Sequence, residues 1–162
     1  EYHVTVIYPV AVEKKIYWLD QEIGAITGGR RSPRKGSAYD VFHELYAIRP
    51  YLQDPNLSLH IVLMDMEEYK LLNGRSRDKK RGASRYDRLP GKLRDIVRIE
   101  NISDYARFLP EELPEEFTSG DLAKCAHIPR GTAQTCLLIL RDLGVAELIG
   151  KKGRSNLHRR KR

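Results

Sequence analysis

The chain has 162 residues, 41% of them hydrophobic, with 29 lysines and arginines against 22 aspartates and glutamates, a formal charge of +7. That apolar share suffices for a real core and excludes a disordered tail, and the length leaves room for one domain or two small ones. No apolar run approaches the roughly 20 residues of a membrane-spanning helix, and no secretory signal pattern opens the chain, so a soluble, cytoplasmic protein without a membrane partner is expected.

The charge is segregated. Residues 30–35, 73–90 and 150–162 together carry +16, which leaves −9 for the rest. An acidic body with basic connecting segments is the electrostatic footprint expected of a polyphosphate ligand, although solubility alone produces similar runs. The chain opens at Glu1 without a methionine and runs at once into a strand-like pattern, as a piece of a longer or processed protein would.

Between His3 and Asp20 the β-branched and aromatic residues Val4, Val6, Tyr8, Val10, Val12, Ile16, Tyr17 and Trp18 predict two strands, broken by Pro9 and by Glu13-Lys14-Lys15. A turn after Asp20 leads through Ile23 and Ile26 to Gly28-Gly29, a short third strand folding back as a hairpin, and Arg30 to Gly36 leave as a basic loop. Ser37 is placed to cap a helix on which Val41, Phe42, Leu45, Ile48 and Leu52 recur at helical spacing, until the Asp54-Pro55-Asn56 turn stops it. This helix is expected to pack on the sheet. Leu57 to Met66 alternates as a strand, and Glu67 to Leu72 reads as the start of a short helix. Residues 73–90, polar and holding Gly74, Gly82 and Pro90, are expected to form a mobile basic loop. Gly91 to Asp95 reads as a short helix, Ile96 to Ile102 as a last strand, and Ser103 as the cap of a helix through Leu109. Pro110 and Pro114 then bound a linker. The expected fold class is α+β: a small mixed sheet with a packed helix over residues 1–116, followed by a second unit over 117–162.

In that second unit Thr118 stands three residues before Asp121, the spacing of a capping box, and Leu122, Ala123 and Ala126 give a short helix its inner face. The turn His127-Ile128-Pro129 places a proline near the start of the next helix, Arg130 to Leu143, where its missing N–H costs little. Ala133, Leu137, Leu140 and Leu143, with Cys136 beside them, form the core stripe of that helix, and Gly144 ends it. Val145 to Ile149, then Gly150-Lys151-Lys152-Gly153-Arg154, then Asn156 to Arg159 read as strand, tight basic turn, strand. Cys125 and Cys136 lack the C-x-x-C or histidine company of a zinc site and read as small buried apolar residues; no metal site is expected here.

The runs R-G-T-A-Q-T, L-x-x-L-G-V-A-E and G-K-K-G-R, in this order, resemble the winged helix-turn-helix domains of prokaryotic regulators over about the last 45 residues. The resemblance implies a second helix that enters the major groove and a hairpin that touches the DNA backbone or minor groove. Arg130, Thr132, Gln134 and Thr135 would then read bases, Lys151, Lys152 and Arg154 would meet phosphates, and duplex DNA is the expected partner. Six to eight phosphate contacts would give binding a log–log salt slope of roughly −5 to −7. Winged helices also dock proteins, so a protein partner and a purely structural cap stay open as alternatives.

The run V-I-Y-P-V-A-V-E-K-K-I-Y-W, followed by R-R-S-P-R-K-G-S-A-Y-D-V-F-H-E-L, resembles a prokaryotic family in which a restriction-endonuclease-like sheet precedes a C-terminal winged helix. In such nucleases an acid and a D/E-x-K pair point to one side of a strand, where carboxylates bind Mg²⁺ and the lysine assists the attacking water. Glu13-Lys14-Lys15 and Glu68-Tyr69-Lys70 fit that spelling. Glu13, Lys15, Glu68 and Lys70 are therefore the catalytic candidates of an enzyme reading, with Mg²⁺ as its cofactor. Against it, Glu13 has only Glu1 ahead of it as an acid, Asp65 and Glu67 stand close to Glu68 in sequence, and E-x-K arises by chance in a chain with 31% charged residues. DNA binding without catalysis is the first expectation, and a metal-dependent nuclease or an inactive fragment of one the second.

Overall fold

The β-branched and aromatic residues near the N-terminus form one continuous strand, β1 (Val4–Asp20), instead of two. The computed structural model describes residues 2–74 and 82–161. Pro9 does not break β1 because the next strand, β2 (Ile26–Arg31), pairs with it only over Lys15–Leu19, so the proline sits where no β2 ladder is lost. The β1/β2 pairing is antiparallel, as expected, with its register shifting at Ile16/Tyr17. Gly28 serves that shift: its φ is +111°, and a Cβ there would lie 2.4 Å from the Trp18 ring.

Strand β3 (Leu57–Leu72) continues through the segment expected to turn helical, and β4 (Ala83–Ile99) takes in both the end of the expected loop and the expected helix at Gly91–Asp95. Residues 75–81 of that loop lie outside the described residues. The strand order is β2-β1-β3-β4. Lys14 meets Glu68 and Tyr17 stacks on Tyr69, so β1 and β3 advance together and are parallel. Asn73 meets Ser84 and Arg88 meets Glu68, so β3 and β4 run in opposite senses. The sheet is therefore mixed and the fold α+β.

The expected first helix is broken into 3₁₀ turns at Ala38–Val41 and Arg49–Tyr51 around a single α-helical turn, α1 (Phe42–Leu45). This segment packs against a helix of the C-terminal segment, α3 (Arg130–Asp142), and Leu45 also shares the lining of one pocket with Leu59 of β3 and Ile99 of β4. The Phe42 ring meets Phe108 edge-on at 4.7 Å, and the Tyr39 hydroxyl donates to the Phe108 carbonyl at 3.1 Å. Phe108 closes a 3₁₀ segment, Ile102–Phe108, capped by Asn101 and Asp104.

The C-terminal elements follow the expected order. After β5 (Glu116–Phe117), Thr118 caps α2 (Ser119–Cys125): its hydroxyl accepts from the Asp121 N–H while the Asp121 carboxylate accepts from the Thr118 N–H. α3 ends at Gly144, with φ +73°. Strands β6 (Ala146–Lys152) and β7 (Ser155–Arg160) form an antiparallel hairpin turning at Gly153-Arg154, and the second sheet has the order β5-β7-β6.

The chain forms two compact units, but they do not divide at residue 117. Glu1–Tyr8, Ala38–Ile61 and Val97–Arg162 make one, and Pro9–Ser37 with Val62–Ile96 the other. The second unit buries little apolar surface beyond Val10 and Ile16, and it also buries Glu68, whose residue is only 4% exposed. The Glu68 carboxylate is held by Lys14 at 2.9 Å, Arg88 at 3.1 Å and Lys70 at 3.7 Å. Burial works against the charged carboxylate, but Lys14 and Arg88 outweigh it, so Glu68 titrates below the usual carboxylate range. On neighbouring positions Tyr17 and Tyr69 stack at 5.1 Å, and both hydroxyls donate to Glu67. These contacts explain why Glu67–Leu72 is strand despite its helix-forming residues. Among the described residues no helix is long and apolar enough to cross a membrane.

Two expectations follow. Phe42→Ala removes a fully buried ring and should cost about 3–5 kcal/mol in urea unfolding; hydrogen exchange should speed up in α3 as well as near the substitution, whereas unchanged protection of α3 would contradict a shared core. For Glu68, whose folded pKa is depressed, the stabilisation is present above the unfolded carboxyl pKa of about 4.3 and is lost as pH falls through and below it. Glu68→Gln should be less stable than wild type at neutral pH and show a flatter loss of stability on acidification, read from urea midpoints; parallel profiles would refute the assignment.

Candidate nucleic-acid interface

Seven residues of α3 face the core: Thr132, Ala133, Cys136, Leu137, Ile139 and Leu140 on the helix, and Leu143 at its C-cap. What remains outward is a narrow strip. Arg130, Gln134, Leu138 and Arg141 fall on it, and together with Arg154, Ser155, Asn156 and His158 from the hairpin they line a groove of about 320 Å³. Its width is fixed at one end by the Arg130 guanidinium, which donates to the Ser155 hydroxyl at 3.0 Å. At the other edge of the hairpin β5 pairs with β7, and Arg159 donates to the Glu116 carboxylate at 2.8 Å.

Three of the groove's residues are arginines, and among the described residues lining it none is acidic. Arg141 lies 3.4 Å from Asp142, but that carboxylate is held more closely by Arg49 at 3.1 Å. Lys151 and Lys152 are exposed on the hairpin. His158 is buried, and burial together with Arg141 lowers its pKa, so it enters this surface as a neutral ring. A groove open to solvent and lined by three arginines suits an anionic ligand that runs along it.

The expected contact residues are not all here. Arg130, Gln134 and Arg154 line the groove, and Lys151 and Lys152 stand on the adjoining hairpin. Thr132 is a correction: it is 4% exposed, and its hydroxyl is 3.2 Å from the His43 ring nitrogen, so it faces the Ala38–Leu45 segment and cannot reach a base. Thr135 is half-buried, and its hydroxyl donates to the Gly131 carbonyl one turn back at 3.2 Å, which leaves it poorly placed as a reader. Arg141, Ser155 and Asn156 join the surface although the motif did not name them. Arg141 had a signal in the sequence, since eleven residues on from Arg130 it returns to nearly the same side of the helix.

Among the described residues the acidic candidates are not gathered into one cluster. Glu68 and Lys70 lie 3.7 Å apart, and Lys14 and Arg88 both bond the other oxygen of the Glu68 carboxylate, Oε2. Glu13 and Lys15 lie by the Asp65–Arg94 ion pair, which is bidentate at 2.7 and 2.9 Å; the Arg94 hydrogen bond leads the causes that hold Asp65 low. Among the described residues no group of three or more His, Cys, Asp or Glu side chains could hold a metal. Cys136 is buried, which pushes its thiol pKa up, and Cys125 is half-buried.

A protein of Treponema pallidum (strain Nichols), described as an uncharacterized protein, is 32% identical over 169 aligned residues, covering 98% of this chain. The chain spans 62% of the length of that relative. No solved structure matches the chain. A family model described as a domain of unknown function, DUF8091, matches residues 1–100, which takes in all four strands of the mixed sheet and stops before α2. The chain belongs to the DUF8091 family.

Proposed function

We propose that the chain is a cytoplasmic DNA-binding protein in which residues 117–162 act as a winged helix-turn-helix on duplex DNA. Arg130, Gln134 and Arg141 face the duplex from α3, and Lys151, Lys152 and Arg154 face it from the hairpin. The observation that carries this reading is the acid-free groove between α3 and β7, in which a helix and a basic hairpin present one continuous polar surface. Gln134 has the chemistry to pair with an adenine edge, and the arginines with guanine or phosphate. The buried environment of Thr132 makes base contact fall to fewer residues than the motif suggests, so binding leans on phosphates and is only weakly sequence-selective. No catalytic role is assigned to Glu13, Lys15, Glu68 or Lys70.

The test is fluorescence anisotropy with a random duplex across a salt series. If the five cations Arg130, Arg141, Lys151, Lys152 and Arg154 meet phosphates, the log–log slope is about −4 to −5. The Arg130→Ala, Lys152→Ala double variant should bind more weakly, with a slope shallower by about 2. Salt-insensitive binding to a protein with none to DNA would replace this reading by a docking adaptor.

A further inference from the structure

A second concave surface lies in the same compact unit as α3 and is unlike the first. It is a pocket of about 410 Å³ lined by parts of β1, β3 and β4 and by the two 3₁₀-bounded segments, with Leu45, Ile48, Leu52, Leu59, Ile99 and Tyr105 among its walls. That volume is within the range of small-molecule sites, which are likewise mostly apolar with a few polar groups. Its apolar surface is left uncovered: Val6 is 36% and Ile102 38% exposed although both line it. Burial raises the pKa of the Tyr105 hydroxyl to about 12, so it faces this space as a neutral donor.

The polar groups select a charge. Asp54 and Glu100 line the pocket and are exposed to solvent, and among the described lining residues there is no lysine, arginine or histidine. An anionic ligand would meet two carboxylates and no counter-ion, whereas an ammonium group with an apolar body would meet complementary walls. We infer that this pocket binds a small apolar organic cation, body against Val6, Ile48 and Ile102 and ammonium toward Asp54 and Glu100. The site does not rest on the DNA-binding reading. It does touch α3: Gln53, another lining residue, donates to the Asp142 carbonyl at 3.0 Å, and Arg49 pairs with the Asp142 carboxylate. A bound ligand therefore restrains the segment that clamps the end of α3.

The experiment titrates methyl-labelled protein with three probes of one shape, phenylbutylamine, phenylbutanol and phenylbutyrate, and follows the methyl resonances of Ile48, Leu59 and Ile102. The amine should saturate these shifts up to about fivefold more tightly than the alcohol, the size of an exposed ion pair, and the carboxylate should bind worst. In the Asp54→Asn, Glu100→Gln variant, both changes at exposed positions, the amine and the alcohol should bind alike. The proposal is overturned if no probe saturates shifts at these methyls, if the carboxylate matches the amine, or if the amine preference survives in the variant.

Discussion

Burial of α3 on more than one side is the constraint from which the rest of its unit follows. A surface helix hides one apolar stripe, but α3 hides Ala133, Leu137 and Leu140 on one side and Thr132, Cys136 and Ile139 on another, because α2 and the Ala38–Leu45 segment both pack on it. The second contact is supplied by residues from the first third of the chain, through Phe42 and the His43–Thr132 hydrogen bond. It leaves a narrow strip along the helix that includes Arg130, Gln134, Leu138 and Arg141. The hairpin then lies beside that strip, tied by Arg130 to Ser155, and the groove is what the two contacts leave open.

Charge is distributed by unit. Pro9–Ser37 with Val62–Ile96 hold sixteen lysines and arginines against nine acids, while the unit that contains α3 holds thirteen of each. The net charge of the chain therefore resides in the sheet unit, and the groove beside α3 is cationic by local segregation in a neutral setting. Within the sheet unit Glu68 has a structural part: one buried carboxylate gathers Lys14, Lys70 and Arg88, whose mutual repulsion would otherwise oppose the pairing of β1, β3 and β4.

Much of the C-terminal segment was legible, because capping boxes, an N-terminal proline and a terminal glycine act locally: Thr118, Asp121, Pro129 and Gly144 do what their positions foretell. Helix geometry alone separates Thr132 from the outward residues of α3. At about 100° per residue it lies about 200° round the helix from Arg130, while Gln134 is about 40° and Arg141 about 20° away. The strand character of Glu67–Leu72 and Gly91–Asp95 was not legible, since it depends on partners distant in sequence, such as Lys14 and Tyr17 for β3 and Asp65 for Arg94. Nor was the place of Ala38–Leu45, whose apolar spacing is right for a buried helix but is silent on which neighbour buries it. Pro110 and Pro114 have the look of a linker in the sequence, yet Leu109 and Leu113 beside them are buried and Val97–Arg162 stays in one compact unit.

The most direct test of the account is an amide chemical-shift map of the labelled chain titrated with a short duplex. The account predicts shifts that saturate at Arg130, Gln134, Arg141 and along Lys151–Asn156, with Thr132 and the Ala38–Leu45 segment little changed. Shifts absent from α3 and the hairpin, or centred on Thr132 and His43, would contradict it.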